Sequence, residues 1–372
     1  MHRPHTHRVA IADGNARHRA EVSTALLSFY RVFEYADSSH ALKGILPAPP
    51  DVLLVGEHLP PDGGIDLVKR LRQDPALQKL PILFIASHAG SGSIELMSRV
   101  GISASLTKPY RRSVLLKTIS GLVNCQVEQH WESLPLLQRT ALKGTIDIFN
   151  SISDVIDQGQ PIAFAAVSEA CQPLVEAIGK NDFKSILHGV RDHDNYSYAH
   201  SLRVATLLSL FGYTIGLPEQ EQLLLTSGGL LHDVGKMSIP HEILNKPTSL
   251  TAAEWDVMKS HVANSVRYLT ASAGVPHAII TIAEQHHEKL DGSGYPHQLT
   301  AAKLNELARM ASIVDVFSAL TDRRVYKPPM PAEAALQIMN QEMSGHFDEG
   351  LLHLFGQALL DAATDDLETA AQ

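Results

Sequence analysis

The chain has 372 residues, a length that suggests two or three domains rather than one uninterrupted core. Its formal charge of −9 excludes the strongly basic surface that nucleic-acid polymers require, so DNA is not an expected partner. Cys125 and Cys171 are too few for a disulfide framework, and the apolar run at 9–12 is too short for a signal or a membrane span. The expectation is therefore a soluble, cytoplasmic protein with no membrane association.

From residue 8 to 120, short β-like runs alternate with amphipathic stretches. Strands are predicted at 9–12, 32–35, 52–55, 82–85 and 104–106, with helices between them, for instance at 66–73 and 93–100. Five such units predict a parallel, flavodoxin-like α/β sheet. From 126 to 189 the pattern becomes helical, with Leu134, Leu137, Leu142, Ile146 and Phe149 at near-helical spacing and Gly159-Gln160-Pro161 as a break. This stretch reads either as a connector or as the first helices of the next domain. Beyond Gly189 the sequence reads as helices separated by short turns as far as Leu360, followed by a polar tail from Ala362 expected to fray. The expected architecture is thus an α/β domain over 1–125, helices over 126–189 and an all-α bundle over 190–372.

The residues with the most chemistry lie between His200 and Asp315. His200 sits beside an apolar helical stripe, His232 and Asp233 stand in LLHDVGK, and His261 stands in MKSHVANSV. His286 and His287 open HHEKLDGSGYP, and Asp315 lies within ASIVDVFSAL. Buried imidazoles and carboxylates are costly unless paired or metal-bound. A lone histidine on an apolar face is usually a satisfied structural residue. Seven ligand-type residues recurring in separate helices are harder to explain in that way. Adjacent His232 and Asp233 differ by about 100° around a helix, as do His286 and His287, and a carboxylate has two oxygens with which to bridge. A two-metal centre follows as the expectation, with imidazole and carboxylate ligands that suit iron, manganese, zinc or nickel.

The stretch 8–120 resembles a response-regulator receiver domain through Asp13 after the first strand, Pro60 and Gly63-Gly64 after the third, and Lys108-Pro109 after the fifth. It departs from that family at the phosphoacceptor, where Gly56 stands in place of aspartate. Ala12 replaces the first acidic residue, and Ala86 replaces the usual small hydroxyl, with Ser87 one place later. Glu57, adjacent to Gly56, should point elsewhere on the strand end. The resemblance therefore implies a degenerate receiver that is not phosphorylated and serves as a dimerising or partner-binding module.

From about Asp192 to Phe355, HDVGK, HHEKLDGSGYP and DVFSALTDRRVYK occur in the order typical of the HD-GYP family of metal-dependent phosphohydrolases, which this region resembles. The resemblance implies His200, His232, Asp233, His261, His286, His287 and Asp315 as metal ligands, with Asp233 bridging. Tyr196 stands where some members have a glutamate for a third ion, so two ions are expected, with iron or manganese favoured by the family. Lys236 matches a lysine that stabilises charge or protonates the leaving group. Arg324 and Lys327 match positions that hold substrate phosphates. They would lie one turn apart if the helix carrying Asp315 continued to Pro328-Pro329. Gly292, Gly294, Tyr295 and Pro296 form the GYP loop, implicated in substrate contact and in contact with GGDEF-domain cyclases. The implied reaction is hydrolysis of cyclic di-GMP to pGpG and onward to GMP. A cyclic-dinucleotide sensor or scaffold, and a hydrolase of cyclic GMP-AMP, stand as alternatives.

Overall fold

The computed structural model describes residues 7–27, 30–88, 92–191, 193–244, 246, 248–322 and 330–369. The chain divides into two compact units, Met1–Gln126 and Val127–Gln372.

In the first unit five strands, β1 Arg8–Ala12, β2 Arg31–Tyr35, β3 Val52–Gly56, β4 Ile82–Ala86 and β5 Ala104–Thr107, form one parallel sheet in the order β2-β1-β3-β4-β5. Each encloses the run predicted for it. The helices are α1 Ala16–Leu26, α2 Ser38–Ile45, α3 Gly64–Gln73, α4 Ser93–Val100 and α5 Arg112–Trp131, the last of which crosses the division between the units. Side chains of the central strands alternate between two cores. Ala10, Leu53, Val55 and Phe84 pack with α2 and α3, whereas Val9, Ile11, Leu54, Leu83 and Ile85 pack with α1 and α5. Burial on both faces explains why β3 and β4 read as unbroken apolar runs rather than alternating ones.

The second unit is helical. It comprises α6 Leu136–Asp157, α7 Phe164–Gly179, α8 Phe183–Val190, α9 Tyr196–Thr214, α10 Glu219–Leu231, α11 His241–Leu244, α12 Ala252–Thr270, α13 His277–Gln285, α14 Glu306–Thr321, α15 Ala332–Gln341 and α16 Glu349–Thr369. Leu142, Ile146 and Phe149 of α6 and Val167, Cys171 and Leu174 of α7 share one core with Tyr198, Leu202, Leu230 and Ile279. The helices between 127 and 190 therefore pack within this unit. A second core gathers Val204, Phe211, Ile313, Phe317 and Phe355. Two local expectations differ from the structure. α16 runs on to Thr369, consistent with the helix-forming Ala, Leu and Glu content of a segment expected to fray. α14 stops at Thr321, with Asp322 extended at φ −76° and ψ 153°, and the residues 323–329 that follow lie outside those described. Among the described residues, no helix is long and apolar enough to cross a membrane.

Candidate metal centre

The site is assembled from five places in the helical unit. His200 comes from the first turns of α9, His261 from the middle of α12 and Asp315 from the middle of α14. The two adjacent pairs do not lie inside helices as expected. His232 caps the C-terminus of α10 and Asp233 follows it, while His286 caps α13 and His287 follows. This placement has a chemical consequence, because the last carbonyls of a helix lack intrahelical partners. His232 Nδ1 donates to Gly229 O at 2.7 Å and His286 Nδ1 to Ala283 O at 3.0 Å. His261 Nδ1 does the same within α12, donating to Met258 O at 2.6 Å. In each case a backbone oxygen accepts a hydrogen bond from Nδ1–H, so Nε2 is the nitrogen turned to the centre and, in the neutral ring, a lone pair.

Those lone pairs converge on Asp233. Its Oδ2 lies 3.1 Å from His232 Nε2 and 3.7 Å from His200 Nε2. Its Oδ1 lies 3.2 Å from His261 Nε2 and 3.7 Å from His286 Nε2. Asp315 Oδ1 is 2.9 Å from His200 Nε2, and its Oδ2 is 3.6 Å from His287 Nδ1. Two groups result, each with ligand atoms within 4.8 Å of one another: Asp233 with His261, His286 and His287, and His200 with His232 and Asp315. All seven sequence-predicted ligands are therefore together, and Asp233 turns one oxygen toward each group.

The donor set can be tested for a cation without reference to any ion. His232 Nε2, His261 Nε2, His286 Nε2 and Asp233 Oδ1 are buried and make no hydrogen bond. Acceptors facing acceptors in a low-dielectric interior are unfavourable, and each buried unsatisfied group costs about 1–3 kcal/mol. Cations between them would satisfy all four. The fit is chemical as well as geometric, since imidazole with carboxylate suits divalent transition metals.

Electrostatics keep Asp233, Asp315, His286 and His287 in binding form, whereas His232, despite its burial, is raised by the Asp233 and Asp315 carboxylates. Burial disfavours the Asp233 carboxylate, but the Lys236 ammonium and His232 outweigh it and hold the group well below the usual carboxylate range. Burial opposes ionisation of Asp315 too, yet its hydrogen bond with His200 and the neighbouring histidines lower it. Burial and the adjacent His287 keep His286 far below the ordinary imidazole value. Burial, against the pull of Asp315, takes His287 down to about 3. Lys236, in a 3₁₀ turn rather than an α-helix, bonds Asp233 Oδ2. Burial lowers its pKa, but Asp233 and Asp315 more than offset this and keep it charged.

The loop 291–299 folds over this centre. Tyr295 N donates to His287 O, and the Tyr295 ring lies 4.7 Å from the His287 ring. Gly294 is buried where a Cβ would stand 2.5 Å from Glu288 Cα and Lys289 N, and Gly292 has φ +79°. Both glycines are required by the backbone path. Sequence reasoning passed over Glu288, which is buried and accepts from His297 N at 2.6 Å and Leu299 N at 2.9 Å, tying the loop to the ligand pair. Its signal was an acidic residue directly after two ligand histidines. Arg324 and Lys327 lie outside the described residues.

In the α/β unit the acid pocket is occupied by its own residues. Asp13 Oδ2 is 2.6 Å from His18 Nδ1 and 3.6 Å from Lys108 Nζ, while Oδ1 accepts from Asn15 N. A Cβ at Gly56 would stand 2.7 Å from Asp13 Oδ2. Glu57 turns to the neighbouring strand end, where it accepts from Ser87 N at 2.7 Å.

Comparison with known proteins agrees with this geometry. The response regulator receiver domain family matches residues 9–120 and the HD domain family matches residues 187–351. Residues 9–120 thus match a receiver domain and residues 187–351 an HD domain, and an HD domain implies divalent-metal binding. It is 28% identical over 344 residues to the cyclic di-GMP phosphodiesterase response regulator RpfG of Xanthomonas campestris, across 92% of this chain and 84% of that protein. A cyclic di-GMP phosphodiesterase of Pseudomonas aeruginosa is 29% identical over 271 residues, across 72% of this chain and 63% of its own length, just under two thirds. The 3'3'-cGAMP-specific phosphodiesterase 2 of Vibrio cholerae is 36% identical over 171 residues, across 46% of this chain and 33% of that protein.

Proposed function

We propose that the chain hydrolyses cyclic di-GMP at a dinuclear metal centre held by His200, His232, Asp233, His261, His286, His287 and Asp315. The observation that carries this reading is the set of buried, tautomer-fixed imidazole lone pairs facing the two oxygens of Asp233. Two divalent cations supply, when bound, a lowered water pKa and a positive clamp for the phosphate. Iron or manganese is favoured, with zinc and nickel as alternatives.

The chain's own residues do the rest. Asp233 spans both ligand groups and sets their separation. The Gly229, Met258 and Ala283 carbonyls hold three rings in one tautomer and one orientation. Lys236 presents a charged ammonium beside the centre, where it can stabilise an anionic phosphate or supply a proton to the leaving oxygen. Tyr295 covers the His287 side of the site, and Gly294 permits the loop to close there. Arg324 and Lys327 are proposed phosphate contacts on sequence grounds alone. The exposed rim of the loop, from Pro296 to Gln298, is the surface offered to a GGDEF-domain partner. The receiver is proposed as a dimerising or partner-binding module that works without phosphorylation.

The test is incubation of manganese- or iron-loaded protein with cyclic di-GMP and, separately, 3'3'-cGAMP, followed by chromatography. Linear pGpG or GMP is expected from the first substrate. Absence of product with every one of manganese, iron, zinc and nickel defeats the reading. Faster turnover of the mixed nucleotide would transfer the assignment to the cGAMP-specific relatives' substrate, to which the 36% identity lends weight.

A further inference from the structure

The chain has two tryptophans in contrasting surroundings. Trp131 is fully buried, its indole N–H donating to Gly189 O at 2.8 Å. Trp255 is 46% exposed in the first turn of α12. A singly exposed aromatic residue means little by itself. The position of this one is what matters. Its ring meets the Tyr295 ring edge-on at 6.3 Å, and Tyr295 in turn lies 4.7 Å from the ring of His287. Three rings thus lead from the ligand group to solvent in two steps.

The helical turn that carries Trp255 is also held firmly. Thr251 caps α12, accepting from Glu254 N while the Glu254 carboxylate accepts from Thr251 N, and Lys246 pairs with the same carboxylate at 2.5 Å. The same helix delivers His261 to the metal groups about two turns later. An aromatic face on a fixed turn, at the mouth of a phosphodiester site, has the chemistry of a nucleobase platform. Such platforms act by stacking and tolerate any base with a π face.

We infer that Trp255 is a substrate-binding residue, a wall against which one purine of the cyclic dinucleotide packs while its phosphodiester lies at the Asp233 centre; this rests on the function proposed above. Tyr295 backs the wall and links it to the metal groups.

The experiment uses full-length, manganese-loaded wild-type protein, Trp255→Ala and Trp255→Phe, with metal content measured for each. Cyclic di-GMP is titrated with indole fluorescence as the binding readout, and hydrolysis is followed separately. Nucleotide should quench wild-type fluorescence, and Trp255→Phe should abolish that quenching. Trp255→Ala should raise Kd and KM by about 5- to 100-fold with kcat changed less than about threefold, whereas Trp255→Phe should stay within about fivefold of wild type. Wild-type cleavage with an unaltered KM in Trp255→Ala overturns the inference and leaves the proposed function standing; the exposed ring would then belong to a protein contact. Loss of metal or of kcat instead of KM overturns it as well, making the residue a support. Quenching through Trp255 without cleavage upholds the inference while the hydrolase reading fails. No binding of cyclic di-GMP by wild type defeats both.

Discussion

Replacing Asp233 with asparagine separates a metal centre from a merely structural cluster of buried charges. In the metal-free protein, Asp233→Asn removes the ion pair with Lys236, a charge-assisted bond of the sort worth about 1.5–3 kcal/mol when shielded. Lys236 is 18% exposed and keeps the attraction of Asp315, so the loss should fall toward the lower end of that range. Against it, an amide N–H at the position of Oδ1 would stand 3.2 Å from the bare Nε2 of His261, adding a bond of about 1 kcal/mol. The net change in stability of the chelated protein should therefore lie within about 2 kcal/mol of wild type, read as the urea midpoint at constant slope. Metal binding should behave quite differently. An amide bridges cations poorly, so bound metal should fall from two ions to one or none by elemental analysis. Hydrolysis of cyclic di-GMP should fall by about a thousandfold or more, about 4 kcal/mol in the barrier. Full metal content and activity in Asp233→Asn would refute the reasoning. So would a loss of about 3–5 kcal/mol in the chelated protein, the signature of a broken structural ion pair.

In chelated protein, His286 and His287 have folded pKa values below the unfolded one, so their contribution is complete above about pH 6.5 and declines as the pH falls, in the case of His287 toward about 3. His232, held above its ordinary value, contributes in the opposite sense, complete below about pH 6.5 and lost as the pH rises through its folded pKa. Denaturation midpoints between pH 7 and 4 should show a net fall that His287→Gln reduces by up to about 3 kcal/mol; an identical pH profile in the variant contradicts this. Glu288→Ala leaves the His297 and Leu299 amides without their carboxylate and should cost about 2 kcal/mol, with a larger effect on activity than on metal content. Gly294→Ala drives a methyl into backbone at 2.5 Å and should lower activity more severely than Gly292→Asn, which can adopt positive φ; equal activities would argue against the close approach. Phosphodonors should leave the wild-type receiver unmodified. Gly56→Asp should remain unmodified as well, because its Cβ meets an Asp13 carboxylate already held by His18, Asn15 and Lys108; a stable aspartyl phosphate detected by mass spectrometry would overturn this.

Much of this was legible in the chain itself. The strands of the receiver read correctly because parallel strands buried on both faces are short, continuous and apolar, as at β3 and β4. The absence of an acidic side chain at position 56 was legible in the same way, since Gly56 stands at the end of β3. The seven ligand-type residues were legible because ionisable groups beside apolar helical stripes need a reason to be there. Local pattern misled at the helix ends: α14 stops at Thr321 although its composition invites continuation, and α16 persists where polarity suggested fraying.

What tertiary structure alone decided was direction. Spacing along the chain cannot tell which nitrogen of an imidazole carries the proton. That depends on His232 and His286 standing at helix ends beside the carbonyls of Gly229 and Ala283, and on His261 reaching back to Met258. Nor does spacing show that Asp233 turns one oxygen to each group, that Glu288 ties down the loop, or that Trp255 meets Tyr295 at the mouth of the site. Residue type is a property of the sequence, whereas the orientation of a lone pair follows from backbone groups brought to it by packing.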